Sequence, residues 1–110
     1  MTIKFYVAAS WEDRHIAESM ANEIKRKYGW ENTSIWWTHE DRNKKLMYAV
    51  EDVDNVRECD VLFVYNGELK TAGKFIEIGI ALGLKKPVFL FGKPLTTIFG
   101  ELIIYKGEKF

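Results

Sequence analysis

Within "KTAGKFIEIGIALGLKKPV", residues 70–88, one carboxylate interrupts an apolar run. Every other residue from Phe75 to Leu84 is apolar or glycine, and Glu77 stands among them. At about 100° per residue its helical neighbours are Ile80, Ala81 and Leu84 on one side and Lys74 a turn earlier. An i,i+3 pair with Lys74 would contribute only about 0.2–0.5 kcal/mol, which explains tolerance of the charge but not its placement. Holding an ionised carboxylate partly out of water costs several kcal/mol unless partners satisfy it. That cost is most often tolerated where an acid or a nucleophile is wanted, so Glu77 is the first candidate for chemistry. Gly79 and Gly83, four residues apart, predict close backbone packing along one face of the same helix.

Asp52 is the second candidate. It falls on the polar edge of a helix, beside Val56 and one turn from Tyr48. Glu51 and Asp54 compete with it, and a solvated helix face is the ordinary explanation for all three. Ser10 and Thr71 each stand between the carboxyl end of a strand and the start of a helix, where they read first as N-caps. The same position suits phosphate, which helix N-termini bind through free N–H groups and the macrodipole. His15 and His39 are isolated and read as surface or core histidines. Cys59 is the sole cysteine, which excludes an intrachain disulfide and a cysteine-based zinc site and leaves an inert buried thiol. "VAASWEDR" lacks the glycines of a dinucleotide fingerprint, and no Walker A sequence or metal-spaced His/Asp/Glu cluster occurs.

The elements that must position these residues follow from periodicity. "TIKFYVA" predicts a first strand at 2–8. A helix follows, with Ile16, Ala17, Met20 and Ile24 as its apolar stripe, Ser10 as cap and Gly29 as its end. "TSIWWT" at 33–38 reads as a second strand. A helix over 43–58 carries Leu46, Ala49, Val50, Val53 and Val56 as a core stripe. "DVLFVYN" at 60–66 and "PVFLFG" at 87–92 are continuous enough to be strands buried on both faces. A helix over 72–84 lies between them, and "ELIIY" at 101–105 is a candidate edge strand. This β-α-β-α-β-α-β order predicts a flavodoxin-like (Rossmann-like) α/β sandwich, with a parallel sheet of four to five strands in the order 2-1-3-4 and a possible fifth. Ligands of such sheets bind outside the carboxyl ends of strands one and three, here at Ala8–Ser10 and Asn66–Glu68.

A chain of 110 residues with no linker, repeat or low-complexity stretch reads as one domain. Sixteen basic residues balance sixteen acidic ones, which argues against a nucleic-acid partner. No apolar run approaches the roughly 20 residues needed to span a bilayer. The N-terminus is too short and too interrupted by Lys4 for a signal peptide, so a soluble cytoplasmic protein without a membrane partner is expected.

Taken in order, these segments resemble the nucleoside 2-deoxyribosyltransferase-like superfamily, including its nucleotide N-hydrolase branch. "FYVAAS" resembles the family's opening strand, with Tyr6 and Ser10 at its tyrosine and serine. "EDVDNVRECDVLFV" resembles the segment in which a catalytic aspartate precedes the aspartate opening strand three by eight residues, here Asp52 and Asp60. "TAGKFIEIGIALGLKKPV" resembles the signature helix, where glycine precedes the nucleophilic glutamate by four residues, here Gly73 and Glu77. Thr71 takes the place of a hydroxyl residue that contacts phosphate in the hydrolase branch. "LTTIFG" resembles a segment that reaches the partner subunit's site, with Thr96 at the serine position. The chain departs from the pattern in "SWEDR", which lacks the small glycine-containing loop, in Lys74 and Phe75, and in a short loop at 38–45.

The resemblance implies cleavage or transfer of the N-glycosidic bond of a small-molecule (deoxy)nucleoside or (deoxy)nucleotide, with no cofactor or metal. Glu77 would be the nucleophile, Asp52 the general acid and Tyr6 the residue orienting Glu77. Ser10, Thr71, Gly73 and Thr96 would bind substrate. Trp36 or Trp37 could stack on the base, with Trp37 the chosen candidate and core packing an equal reading of both. Other readings are a TIR-like NAD glycohydrolase, which also uses a glutamate, and a nucleotide-binding module without turnover. A small interaction domain is the plainest alternative. Because the third helix is apolar around most of its circumference, a homodimer or larger homo-oligomer is expected, with Tyr48 and Met47 in its interface.

Overall fold

The computed structural model describes residues 2–68 and 71–110, with Arg42 described by its backbone alone. Five parallel strands form one sheet in the order β2-β1-β3-β4-β5. They are β1 (Lys4–Ala8), β2 (Glu31–Asn32), β3 (Val61–Asn66), β4 (Val88–Gly92) and β5 (Ile104–Gly107). Three helices connect them: α1 (Arg14–Tyr28), α2 (Lys45–Glu58) and α3 (Ala72–Gly83). Right-handed crossovers run outward from β1 in both directions, so α1 covers one face while α2 and α3 pack side by side on the other. This is the flavodoxin-like arrangement, with the switch point between β1 and β3.

Strand alternation divides the core between the two faces. Phe5 and Phe63 meet edge to face at 6.0 Å on one side, and Phe63 stacks on Phe89 at 5.6 Å. Tyr6 and Leu62, paired in register, point to the opposite side. α1 buries Ala17, Met20, Ala21 and Ile24 and ends at Gly29, whose φ of 69° supplies the left-handed C-cap. Asp60 fixes the join between α2 and β3: its Oδ2 accepts from the Lys4 N–H at 2.8 Å, and its own N–H donates to the Lys4 carbonyl at 2.7 Å. The Cys59 thiol beside it is buried, and burial raises its pKa to about 11, as an inert thiol requires.

Several expectations need correction. The second strand does not occupy 33–38. It is the two-residue Glu31–Asn32, and Trp36–Thr38 is a 3-10 turn. The cause is the Trp36 indole, whose Nε1 donates to the Val7 carbonyl at 2.6 Å and folds this segment over the end of β1. The last strand likewise begins later than 101, because Ile98–Leu102 forms a 3-10 turn. Ser10 does not cap α1 with its side chain; a 3-10 turn at Trp11–Asp13 intervenes, and the hydroxyl is engaged elsewhere. The apolar stripe of α2 is not core. Val56 is buried, but Leu46 is 79% exposed, Val50 54% and Val53 39%. Among the described residues outside the helix's own backbone, a Cβ on Gly79 or Gly83 would meet no atom within 4 Å, so neither glycine is used for close packing there.

Gly92 is the one glycine that both conformation and space demand. Its φ is +91°, and an added Cβ would lie 2.3 Å from the Asn66 carbonyl oxygen at the end of β3. Gly92→Ala is expected to destabilise the fold by roughly 1–3 kcal/mol through strain and overpacking, read as a lower denaturation midpoint. An alanine protein as stable as the parent would contradict this placement.

Candidate active site

The carboxyl end of β1 opens into a cavity of about 500 Å³ between the turn after β1, α2 and α3, whereas Asn66 and Gly67 at the end of β3 line a separate groove. Tyr6 and Glu77 form its floor. Tyr6 sits on the side of β1 that faces α3, 1% exposed, and its phenol donates to Glu77 Oε2 across 71 residues of sequence. Burial raises the phenol pKa far above its usual range, with the Glu77 and Asp52 charges adding to the effect, so Tyr6 serves as a fixed donor. Glu77 is pushed up to about 8, chiefly by burial. The Tyr6 hydrogen bond works against that rise, and the Asp52 charge adds to it.

Asp52 reaches the same cavity from α2. Burial pushes its carboxyl up, the His39 charge pulls it down, and Glu51 pushes it up. Its Oδ1 is buried with no hydrogen-bond partner among the described residues. An orphaned buried acceptor is costly, and it marks an atom available to a ligand in the cavity. The neighbouring helix residues Glu51 and Asp54 are exposed and outside the lining, which separates Asp52 from its competitors. His39 is held nearby, stacked on Tyr48 at 4.1 Å with Nε2 3.6 Å from Glu51.

The start of α3 forms the other end. Thr71 occupies the N-cap position, yet its hydroxyl donates to Ser10 Oγ at 2.7 Å and accepts from no helix N–H among the described residues. The Lys74 side chain, 1% exposed, brings Nζ to 3.2 Å from the same oxygen. Lys74 thus turns toward Ser10, away from the i,i+3 pairing with Glu77 that the helical wheel allows. Gly73 lines the cavity, and a Cβ there would enter open space.

The structure therefore brings Tyr6, Asp52, Thr71, Gly73 and Glu77 around one cavity, with Ser10 tied to its wall. Trp37 is outside the lining; Trp36 is part of it, 6.3 Å from the Trp11 ring, which also contributes. Thr96 lies in a separate apolar groove of about 820 Å³ on the other flank of α3. Trp11, Glu12 and Lys74 are lining residues that side-chain spacing did not single out as binding groups. The rule that ligands sit outside the first strand points to the turn carrying the first two. Among the described residues no group of three or more His, Cys, Asp or Glu is placed to hold a metal ion.

A carboxyl pKa raised from 4.5 to about 8 on folding means the native state binds a proton that the unfolded chain has released. Glu77 therefore contributes stability only while protonated, and that contribution declines as pH rises from about 4.5 through about 8. Glu77→Gln should remove this part of the pH dependence and be more stable than the parent at pH 8, by about 1 kcal/mol or more. Urea denaturation at several pH values checks it; parallel profiles for the two proteins would place Glu77 in solvent.

No protein-family profile matches the sequence, and no curated protein sequence matches it. The solved structures similar to this chain include these two. One is a 2-deoxyribosyltransferase from the psychrotolerant bacterium Bacillus psychrosaccharolyticus, with a TM-score of 0.72 and 20% identity, covering 94% of this chain and 85% of that one. The other is the Clostridium botulinum CMP N-glycosidase BcmB, with a TM-score of 0.64 and 21% identity, covering 97% of this chain and 88% of that one. Over nearly its whole length, the chain shares its fold with these two structures.

Proposed function

We propose that the protein cleaves or transfers the N-glycosidic bond of (deoxy)nucleosides or (deoxy)nucleotides through a glycosyl-enzyme ester on Glu77. The observation that carries this reading is the buried Tyr6–Glu77 hydrogen bond facing the unpartnered Asp52 oxygen across one cavity. An oxocarbenium-like C1′ is best trapped by a carboxylate held close and already stripped of water. The Glu77 carboxylate attacks C1′ as the C1′–N bond breaks. The bond's electron pair goes to the base nitrogen, which takes a proton from Asp52. Asp52, now ionised, then removes a proton from water or a second base, which attacks C1′ and releases Glu77. The similar fold of a deoxyribosyltransferase and a CMP N-glycosidase supports both acceptor types.

The two carboxyls must share one proton for this sequence, and burial of both favours that state. Glu77 holds the proton in the resting site, while Tyr6 donates to its ionised form and eases transfer toward Asp52. Glu77 loses its proton near pH 8, chiefly because it is buried. Incubation with a panel of nucleosides, deoxynucleotides and NAD, with chromatography of the freed base, tests the activity. Glu77→Gln should abolish base release while the protein stays folded, and Asp52→Asn should lower turnover by roughly 10²–10⁴. Turnover of the parent should fall as pH rises through about 8. The residual turnover of Asp52→Asn should instead rise with pH, because only ionisation of Glu77 then matters. A folded Glu77→Gln protein with substantial turnover would exclude the nucleophile.

The working unit in this reading is a homodimer. Leu46, Met47, Val50 and Val53 of α2 and Ile76 of α3 are exposed apolar residues, and Val53 and Ile76 also line the cavity. Large apolar patches of this kind are characteristic of interfaces. A two-fold axis through these helices would bring Thr96 of one protomer toward the Thr71–Glu77 cavity of its partner. Light scattering at micromolar concentration should give at least twice the 12.9 kDa chain mass. Val50→Glu should reduce both mass and turnover. A fully active monomer would remove the interface and Thr96's shared role.

A further inference from the structure

The polar end of the cavity carries a charge pattern that bears on which sugar it accepts. This inference rests on the N-glycosidase reading. With C1′ at Glu77, the sugar's far end lies about one helical turn, ~5.4 Å, back along α3, beside Gly73, where open space replaces a side chain. Thr71, Lys74 and, across from them, Glu12 border that end. A helix N-terminus and a lysine would ordinarily favour an anion. Here the lysine is already engaged. Its ammonium lies on Ser10 Oγ, and the Glu12 and Asp13 charges act on it against the effect of burial. Asp13 is wedged against the loop after β3, where a Cβ on Gly67 would come 2.5 Å from its Oδ2. Among the described residues the lining holds three carboxylates, Glu12, Asp52 and Glu77, against one cation.

We infer that Glu12 is a specificity residue: it accepts a hydrogen bond from the free primary hydroxyl of an unphosphorylated nucleoside and repels the corresponding 5′-phosphate. A carboxylate serves a hydroxyl donor well and opposes a phosphate dianion, and the one lysine of the lining already lies on Ser10 Oγ within the field of Asp13 and Glu12. Glu12 stands exposed at the mouth, on a 3-10 turn of three residues, so its replacement leaves the core untouched.

The test compares kcat/KM for a pyrimidine 2′-deoxynucleoside and its 5′-monophosphate at low ionic strength, in the parent protein and in Glu12→Gln. The parent should favour the nucleoside. Glu12→Gln should shift the ratio toward the monophosphate by roughly tenfold, an effect that shrinks in high salt. Base release with a preference for the monophosphate, or a ratio unmoved in Glu12→Gln, would overturn the inference while leaving the N-glycosidase intact. If neither compound loses its base, calorimetric binding decides: nucleoside binding with Glu12-dependent exclusion of the monophosphate upholds the filter although the reaction fails. Binding of neither compound, or of both equally, overturns it.

Discussion

The site depends on one buried contact, the hydrogen bond from the Tyr6 phenol to the Glu77 carboxyl. A carboxylate in an apolar helix is expensive to ionise, and this one has its pKa driven to about 8 mainly by burial. The phenol offsets part of that cost because it can only donate, its own ionisation being suppressed by the same surroundings. It also ties α3 to β1, which stands between β2 and β3 in the sheet. Without that contact Glu77 would have a reason to rotate toward solvent, and the helix would lose its fixed relation to the strand ends.

Around this contact the fold supplies position through backbone geometry. Parallel pairing of β1 with β3 places two connecting segments side by side at the switch point, the turn at Trp11–Asp13 and the chain entering α3 at Thr71. Ser10 joins them by accepting from both Thr71 and Lys74. Asp60, bonded twice to the Lys4 backbone, anchors the end of α2 and so fixes how far along that helix Asp52 lies. Ser10 thus joins the segments beside the cavity, and Asp60 ties the end of α2 to the start of β1; neither residue lines the cavity.

The helices on this face also carry more apolar surface than the sheet can cover. α2 turns Val56 inward and leaves Leu46, Val50 and Val53 in water, and α3 leaves Ile76 60% exposed. Hydrophobic burial stabilises roughly in proportion to area removed from water, so these residues contribute little to a lone chain. Val53 and Ile76 also line the cavity, so anything covering them would restrict water in the site.

Much of this was legible in the residues themselves. Element order and the parallel sheet followed from alternation and from the two continuous apolar strands. Gly29 marked the end of α1, and Glu77 marked itself, because a charge in an apolar run is a local anomaly that needs no neighbours to be noticed. Periodicity, however, reports which face of a helix is apolar and not what lies against it. The stripe of α2 therefore read as core when most of it is surface. "TSIWWT" read as a strand because β-forming residues fit one, yet the Trp36 indole bond to Val7 closed it into a turn. That same bond made Trp36, and not Trp37, part of the cavity wall. Spacing could not choose among Glu51, Asp52 and Asp54, which differ only in the direction each faces. The choice belonged to tertiary structure, because partners so far apart in sequence, such as Tyr6 and Glu77, meet only when the sheet has formed.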